Sequence, residues 1–248
     1  ALDMRKCLFC SNISTSHEHY FPKWIFRLTT STPPYLLTLG GLRAMPVHRG
    51  SAKTKQVCGD CNSGWMSALE AAASKLIGSL SQDIAMWLNV EDQSIIARWS
   101  VKTSMVLEAL DRKAYAKHGH AQGQREAIRL GASLPANTQI WLGRYTRTGL
   151  GAFGDRFDLN VPKIPVVCNG RIASFIIGHM LIQVVSLNVP REYEGVNITL
   201  KTRTGPWGQS LIQIWPSRTK LYWPPALSFS VDGPLAASNL IRRLDIQP

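Results

Sequence analysis

The chain of 248 residues suits one large domain or a small module fused to a larger one. An apolar content of 45% against 18% charged residues excludes a disordered chain, and no apolar run is long enough to cross a bilayer. Lysine and arginine number 28 against 16 acidic residues, a net charge of +12, so a phosphate-rich partner is the first expectation. Residues 1–80 hold 9 basic and 4 acidic side chains, and residues 81–248 hold 19 and 12, which points to a broad basic face rather than a charged tail.

The N-terminal stretch "ALDMRKCLFC" lacks the long apolar centre of a signal peptide, so a cytoplasmic location and no membrane association are expected. Cys7 and Cys10 form one CxxC pair, "CLFC", and Cys58 and Cys61 form another, "CGDC". A CxxC turn sets two thiolates about one metal-ligand edge apart, and two such turns complete a tetrahedron around Zn²⁺. Disulfides are the competing reading, disfavoured in a reducing compartment. Cys168, alone in "PVVCNG", reads as a small buried apolar residue.

Between the pairs lies "STSHEHYFPKWIF", in which two histidines flank a glutamate. Strict strand alternation puts His17 and His19 on one face, and Glu18 joins them only if the backbone bulges. After "CGDC", the spacing of Trp65, Met66, Leu69, Ala72, Ala73, Leu76 and Ile77 predicts a helix, with Asn62 at its start and Gly78 as its stop. Asn62 is also a good helix N-cap residue, and Glu70 reads as a surface glutamate. Trp24 and Trp65 read as packing residues.

A second helix is predicted over 81–89. A third, over 92–112, carries a stripe of Ile95, Ile96, Trp99, Met105, Val106 and Leu110. Arg98 and Lys102, one turn apart on it, could reach DNA or face water. "KHGHAQGQ" (117–124) reads as a polar loop with exposed His118 and His120. From about residue 137 the segments "TQIWLGRYT", "RIASFIIGHMLIQVVSL", "SLIQIWP" and "TKLYW" predict an antiparallel sheet packed on the helices. Trp207, Trp215 and Trp223 are expected in its core, and "PLAASNLIRRL" (234–244) predicts a closing helix. The fold class is therefore α+β: a zinc module over 1–80, then a domain over 81–248 that is helical to about 135 and β-rich after.

The order Cys7-Cys10, Glu18-His19 with Pro22, and Cys58-Cys61-Asn62 resembles the HNH (ββα-metal) endonucleases with a four-cysteine treble-clef zinc site. The resemblance covers roughly residues 4 to 78. It implies that His19 is the general base, that Glu18 and Asn62 hold a catalytic Mg²⁺ or Mn²⁺, and that the zinc is structural. The substrate it implies is DNA, in a setting such as restriction, phage defence or a mobile element. His17 is a rival metal ligand or a phosphate contact, and Lys53 and Lys55 meet phosphate or face water. The family's middle Asn is absent from "GSAKTKQV" (50–57), where Thr54 or Gln56 is available to hold the imidazole. Two other readings stay open: a treble-clef module that binds nucleic acid without cutting it, and a protein-interaction scaffold. The C-terminal domain could serve a homo-oligomer or a protein partner.

Overall fold

The structure, a computed structural model, describes residues 6–19, 21–28, 35–39, 45–47, 53–110, 116–160, 165, 167–193, 198–201, 210–217, 219–229 and 245–247. The chain is α+β. It opens with a knuckle at Cys7–Cys10, closed by a bridge between Lys6 and Ile13. Strand β1 (Ser16–His19) then pairs antiparallel with β4 (Lys53–Val57). The segment between them holds a 3₁₀ turn at Ile25–Arg27 and strands β2 (Tyr35–Leu39) and β3 (Met45–Val47).

After β4 the chain turns helical at once. Cys58 is the N-cap, and a short turn α1 (Gly59–Cys61) runs through a π-helical segment, Asn62–Met66, into α2 (Ser67–Ser81). The helical region therefore begins at Gly59, and Asn62 lies inside it rather than at its N-cap. The helix also passes the expected stop at Gly78. Glycine in a helix interior costs about 1 kcal/mol, but here a Cβ would sit 3.8 Å from Leu28 Cδ2, so the position lies where the Leu28 side chain packs. The predicted helix over 81–89 is instead a turn and strand β5 (Met86–Leu88).

Helix α3 (Val90–Glu108) starts two residues earlier than its apolar stripe suggests, because Asn89 and Asp92 form a reciprocal capping box. A short helix α4 (Gln122–Arg129) follows, partly within the stretch read as loop.

The main sheet is built on a long hairpin, β6 (Thr138–Asn160) with β7 (Val167–Asn188). On its other edge β6 pairs antiparallel with β9 (Leu211–Trp215) and parallel with β2 and β11 (Ser228–Phe229), so the expected antiparallel sheet is mixed. Outside it, among the described residues, β10 (Leu221–Trp223) pairs with β5, and β8 (Thr199–Lys201) with β12 (Asp245–Gln247), as β1 does with β4.

Strand β7 is buried on both faces, and its parity switches midway. Ala173, Phe175 and Ile177 face the larger core, but beyond Gly178 it is Met180, Ile182 and Val184 that do so. A register irregularity between Arg144 and Gly149 of β6, with Gly178 at φ +58°, produces the switch. One hydrophobic cluster runs from Cys7, Leu8 and Phe9 through α2 and α3 to Trp223. Trp65 packs edge-on against Phe9, and Trp24 packs at a tilt against Trp99, as packing residues do. Trp223 and Cys168 are fully buried and Trp215 partly so. Trp207 and the helix predicted over 234–244 lie outside the described residues. Among the described residues no helix is long and apolar enough to cross a membrane.

Candidate functional site

The four cysteines meet. Their Sγ atoms all lie within 4.8 Å of one another, with Cys10–Cys58 at 3.6 Å and Cys10–Cys61 at 3.7 Å. A tetrahedron with Zn–S bonds of about 2.3 Å has edges of about 3.8 Å, whereas a disulfide needs sulfurs about 2.05 Å apart. Backbone N–H groups of Phe9 and Cys58 donate to Cys7 Sγ, and that of Cys61 donates to Cys58 Sγ. These are bonds that favour thiolate. The cluster is close enough to hold a metal ion and fits a structural zinc site.

Beside it opens a cleft of about 350 Å³, bordered by His17, Glu18, His19, Pro22, Lys23, Trp24, Arg27, Asn62 and Glu70. The β1–β4 register slips between Ser16↔Val57 and Glu18↔Thr54, leaving His17 of β1 opposite two residues of β4, Lys55 and Gln56. Bulges increase local twist, and here His17, Glu18 and His19 all reach the cleft border. Glu18 is the buried member and His17 the exposed one. Asn62, in the π-helical turn, donates from Nδ2 to Ser16 Oγ at 2.6 Å and so ties the helix to the hairpin.

Three buried atoms of residues bordering the cleft have no hydrogen-bond partner among the described residues: Glu18 Oε1, His19 Nε2 and Trp24 Nε1. Burial pushes the Glu18 carboxyl up to about 7 against the pull of Lys102, and the Glu70 charge raises it further. Burial also lowers the His19 imidazole below its ordinary value, helped by the charges of Lys53 and Lys23. Lys53 lies opposite His19 on β4, and Lys53 and Lys55 both face outward. Gln56 does not hold the imidazole; its amide donates to the Ala109 carbonyl.

Helix α3 corrects three expectations. Lys102 is 0% exposed, so it cannot be a surface contact to DNA. Its Nζ lies 2.8 Å from Glu70 Oε1 and 3.6 Å from Glu18 Oε1. Glu70 is thus part of the cleft and not a bystander on the surface. Arg98 is also committed within the chain, donating to the Ile128 carbonyl in α4 and to the Ala132 carbonyl just beyond it. Lys23 and Arg27, which sequence reasoning passed over, supply the cleft's positive rim. Their nearness to "HEH" and Pro22 was the available signal.

The loop histidines are not exposed either. His120 is buried, its Nδ1 2.6 Å from Glu108 Oε1, and its Nε2 accepts from Arg171 Nε at 3.2 Å. His118 is half-buried and faces Asp158 at 2.9 Å.

Comparison of the chain with protein-family models, curated proteins and solved structures finds no match.

Proposed function

We propose that the chain is a metal-dependent endonuclease of the HNH type that hydrolyses DNA phosphodiester bonds. The observation that carries this reading is the meeting of His19, Glu18 and Asn62 at one cleft beside the four-cysteine cluster, in the order knuckle, hairpin, helix. His19 Nε2 has no hydrogen-bond partner among the described residues, and burial with the charges of Lys53 and Lys23 shifts the ring toward its neutral form. Its lone pair is therefore available to take a proton from an attacking water.

Glu18, Glu70 and Asn62 offer the oxygen donors that a magnesium-class cation takes, and Glu18 Oε1 is the buried orphan such an ion would satisfy. Mg²⁺ or Mn²⁺ bound there would supply neutralisation of charge on the phosphate and on the leaving 3′ oxygen. Asn62 is held for its part by Ser16. Lys23 and Arg27 in the cleft, with Lys53 beside it, would position the phosphate backbone without reading sequence.

Incubating plasmid DNA with Mg²⁺, Mn²⁺ or chelator, alongside His19→Ala, tests the assignment. Metal-dependent nicking should fall by roughly 10²–10⁴-fold in the variant, the range for a general base. Nicking that survives the substitution removes His19 from the mechanism.

A second reading is a module that holds nucleic acid without cutting it. It is supported by the engagement of Gln56, one of the two residues available to orient the imidazole, with the Ala109 carbonyl instead. Tight, salt-sensitive DNA binding without cleavage would select it. Neither binding nor cleavage would leave a scaffold in which the metal only stabilises the fold.

A further inference from the structure

Two carboxylates that border the cleft, Glu18 and Glu70, already face a buried cation behind it. The Lys102 ammonium, carried from α3 and fully buried, lies between Glu70 of α2 and Glu18 of β1. One ammonium facing two carboxylates leaves one negative charge uncompensated when both are ionised. A buried net charge is costly unless something further compensates it. Glu18 is the residue left over. It is 5% exposed, its Oε1 has no hydrogen bond of good geometry among the described residues, and Nζ stands at 3.6 Å. The same carboxylate borders the cleft together with Asn62 and His19.

We infer that Glu18 and Glu70 form a two-carboxylate cation site whose resident ion is the Lys102 ammonium, and that a divalent cation binds there in competition with it. The inference rests on the nuclease reading for the purpose of the site, but not for its chemistry. A divalent ion at about 2.1 Å from Glu18 Oε1 would lie within about 6 Å of Nζ. Like charges that close repel strongly where the dielectric is low. The lysine's flexible four-carbon stem is what would let the ammonium withdraw. Lys102 then holds the carboxylates together in the metal-free protein and sets how much metal is needed to replace it. Glu70 becomes a cation ligand, a role the sequence pattern does not assign to it.

The test is calorimetric titration of the zinc-loaded protein with Mn²⁺, with thermal unfolding measured in parallel with and without Mn²⁺. Lys102→Met should bind Mn²⁺ at least tenfold more tightly than the unaltered chain and gain more Tm from it, while Lys102→Arg, which keeps the charge, should not. Glu70→Gln, a milder change that tests the site should Lys102→Met fail to fold, should weaken Mn²⁺ binding at least tenfold. Unchanged or weaker binding by folded Lys102→Met, unchanged binding by Glu70→Gln, or no Mn²⁺ binding by any form would overturn the inference. Plasmid cleavage run beside the titrations separates the two claims. Tighter Mn²⁺ binding by Lys102→Met with no cleavage by any form keeps the competing cation and discards the nuclease. Cleavage by the unaltered chain with both variants binding Mn²⁺ as before does the reverse.

Discussion

Asn62 and Ser16 are joined side chain to side chain, the Asn62 amide nitrogen donating to Ser16 Oγ at 2.6 Å. With the nitrogen committed to the hairpin, the amide oxygen is the end left for the cleft. Groups that orient a metal ligand typically contribute 10–100-fold to affinity or activity. Ser16→Ala should therefore reduce Mn²⁺-dependent nicking about tenfold, and Asn62→Ala more, with the far-ultraviolet circular dichroism of both unchanged. Equal activity of Ser16→Ala and the unaltered chain would mean that this bond only staples the fold.

The cysteine cluster predicts about one zinc per chain, measured by elemental analysis. Cys61→Ser should lose the metal and lower the thermal transition. The knuckle residues Leu8 and Phe9 are buried in the same core as α2 and α3, so the loss should reach the whole domain and not only its N-terminus. A protein that purifies without metal and unfolds at the same temperature with chelator would contradict the site.

The buried pair of Glu108 and His120 predicts acid sensitivity. Burial and Arg171 hold the His120 imidazole down at about 4, although Glu108 pulls it up. Burial opposes ionisation of Glu108, yet His120 and Arg171 outweigh it and hold the carboxyl at about 2. Unfolding lets the imidazole take a proton near its ordinary 6.5, and the carboxyl near 4.5. The unfolded chain thus binds more protons throughout that range, so stability falls as pH falls, first from 6.5 to 4 and then from 4.5 toward 2. Tm should drop over the first window in the unaltered chain and drop less in His120→Gln. Parallel curves would deny His120 this role.

Gly178 predicts a backbone effect. It has φ +58°, and a Cβ there would stand 2.3 Å from the Ser81 carbonyl oxygen at the end of α2. The left-handed conformation costs a side chain about 1–2 kcal/mol, and overpacking adds roughly 1–3. Gly178→Ala should lower Tm on the order of 10 °C, at about 2–4 °C per kcal/mol for a chain of this size. A change of under about 2 °C would show that the strand can shift away from the helix end without loss.

The two CxxC turns were legible because their geometry is local. Each spans four residues, and thiolates at that spacing can face one metal whatever surrounds them. The helix after Cys61 and the long strands after residue 137 were legible for a similar reason, since periodicity reports which face is buried. The capping box at Asn89 could have been read from Asn and Asp three residues apart. The mixed character of the sheet could not, because β2 joins β6 across more than a hundred residues of chain.

The candidate site divides along the same line. Sequence by itself determined that Cys7, Cys10, Cys58 and Cys61 form one cluster and that His19 lies on the hairpin between them. Tertiary structure alone decided that His17, Glu18 and His19 border one cleft, next to a slip in the β1–β4 register. It also decided the fate of two basic residues one turn apart on α3, sending Arg98 to the carbonyls of α4 and Lys102 to Glu70 and Glu18. A helical pattern shows that a lysine stands near an apolar stripe. Whether its ammonium meets water or a carboxylate depends on what packs above it, and here that is a glutamate 32 positions earlier in the chain.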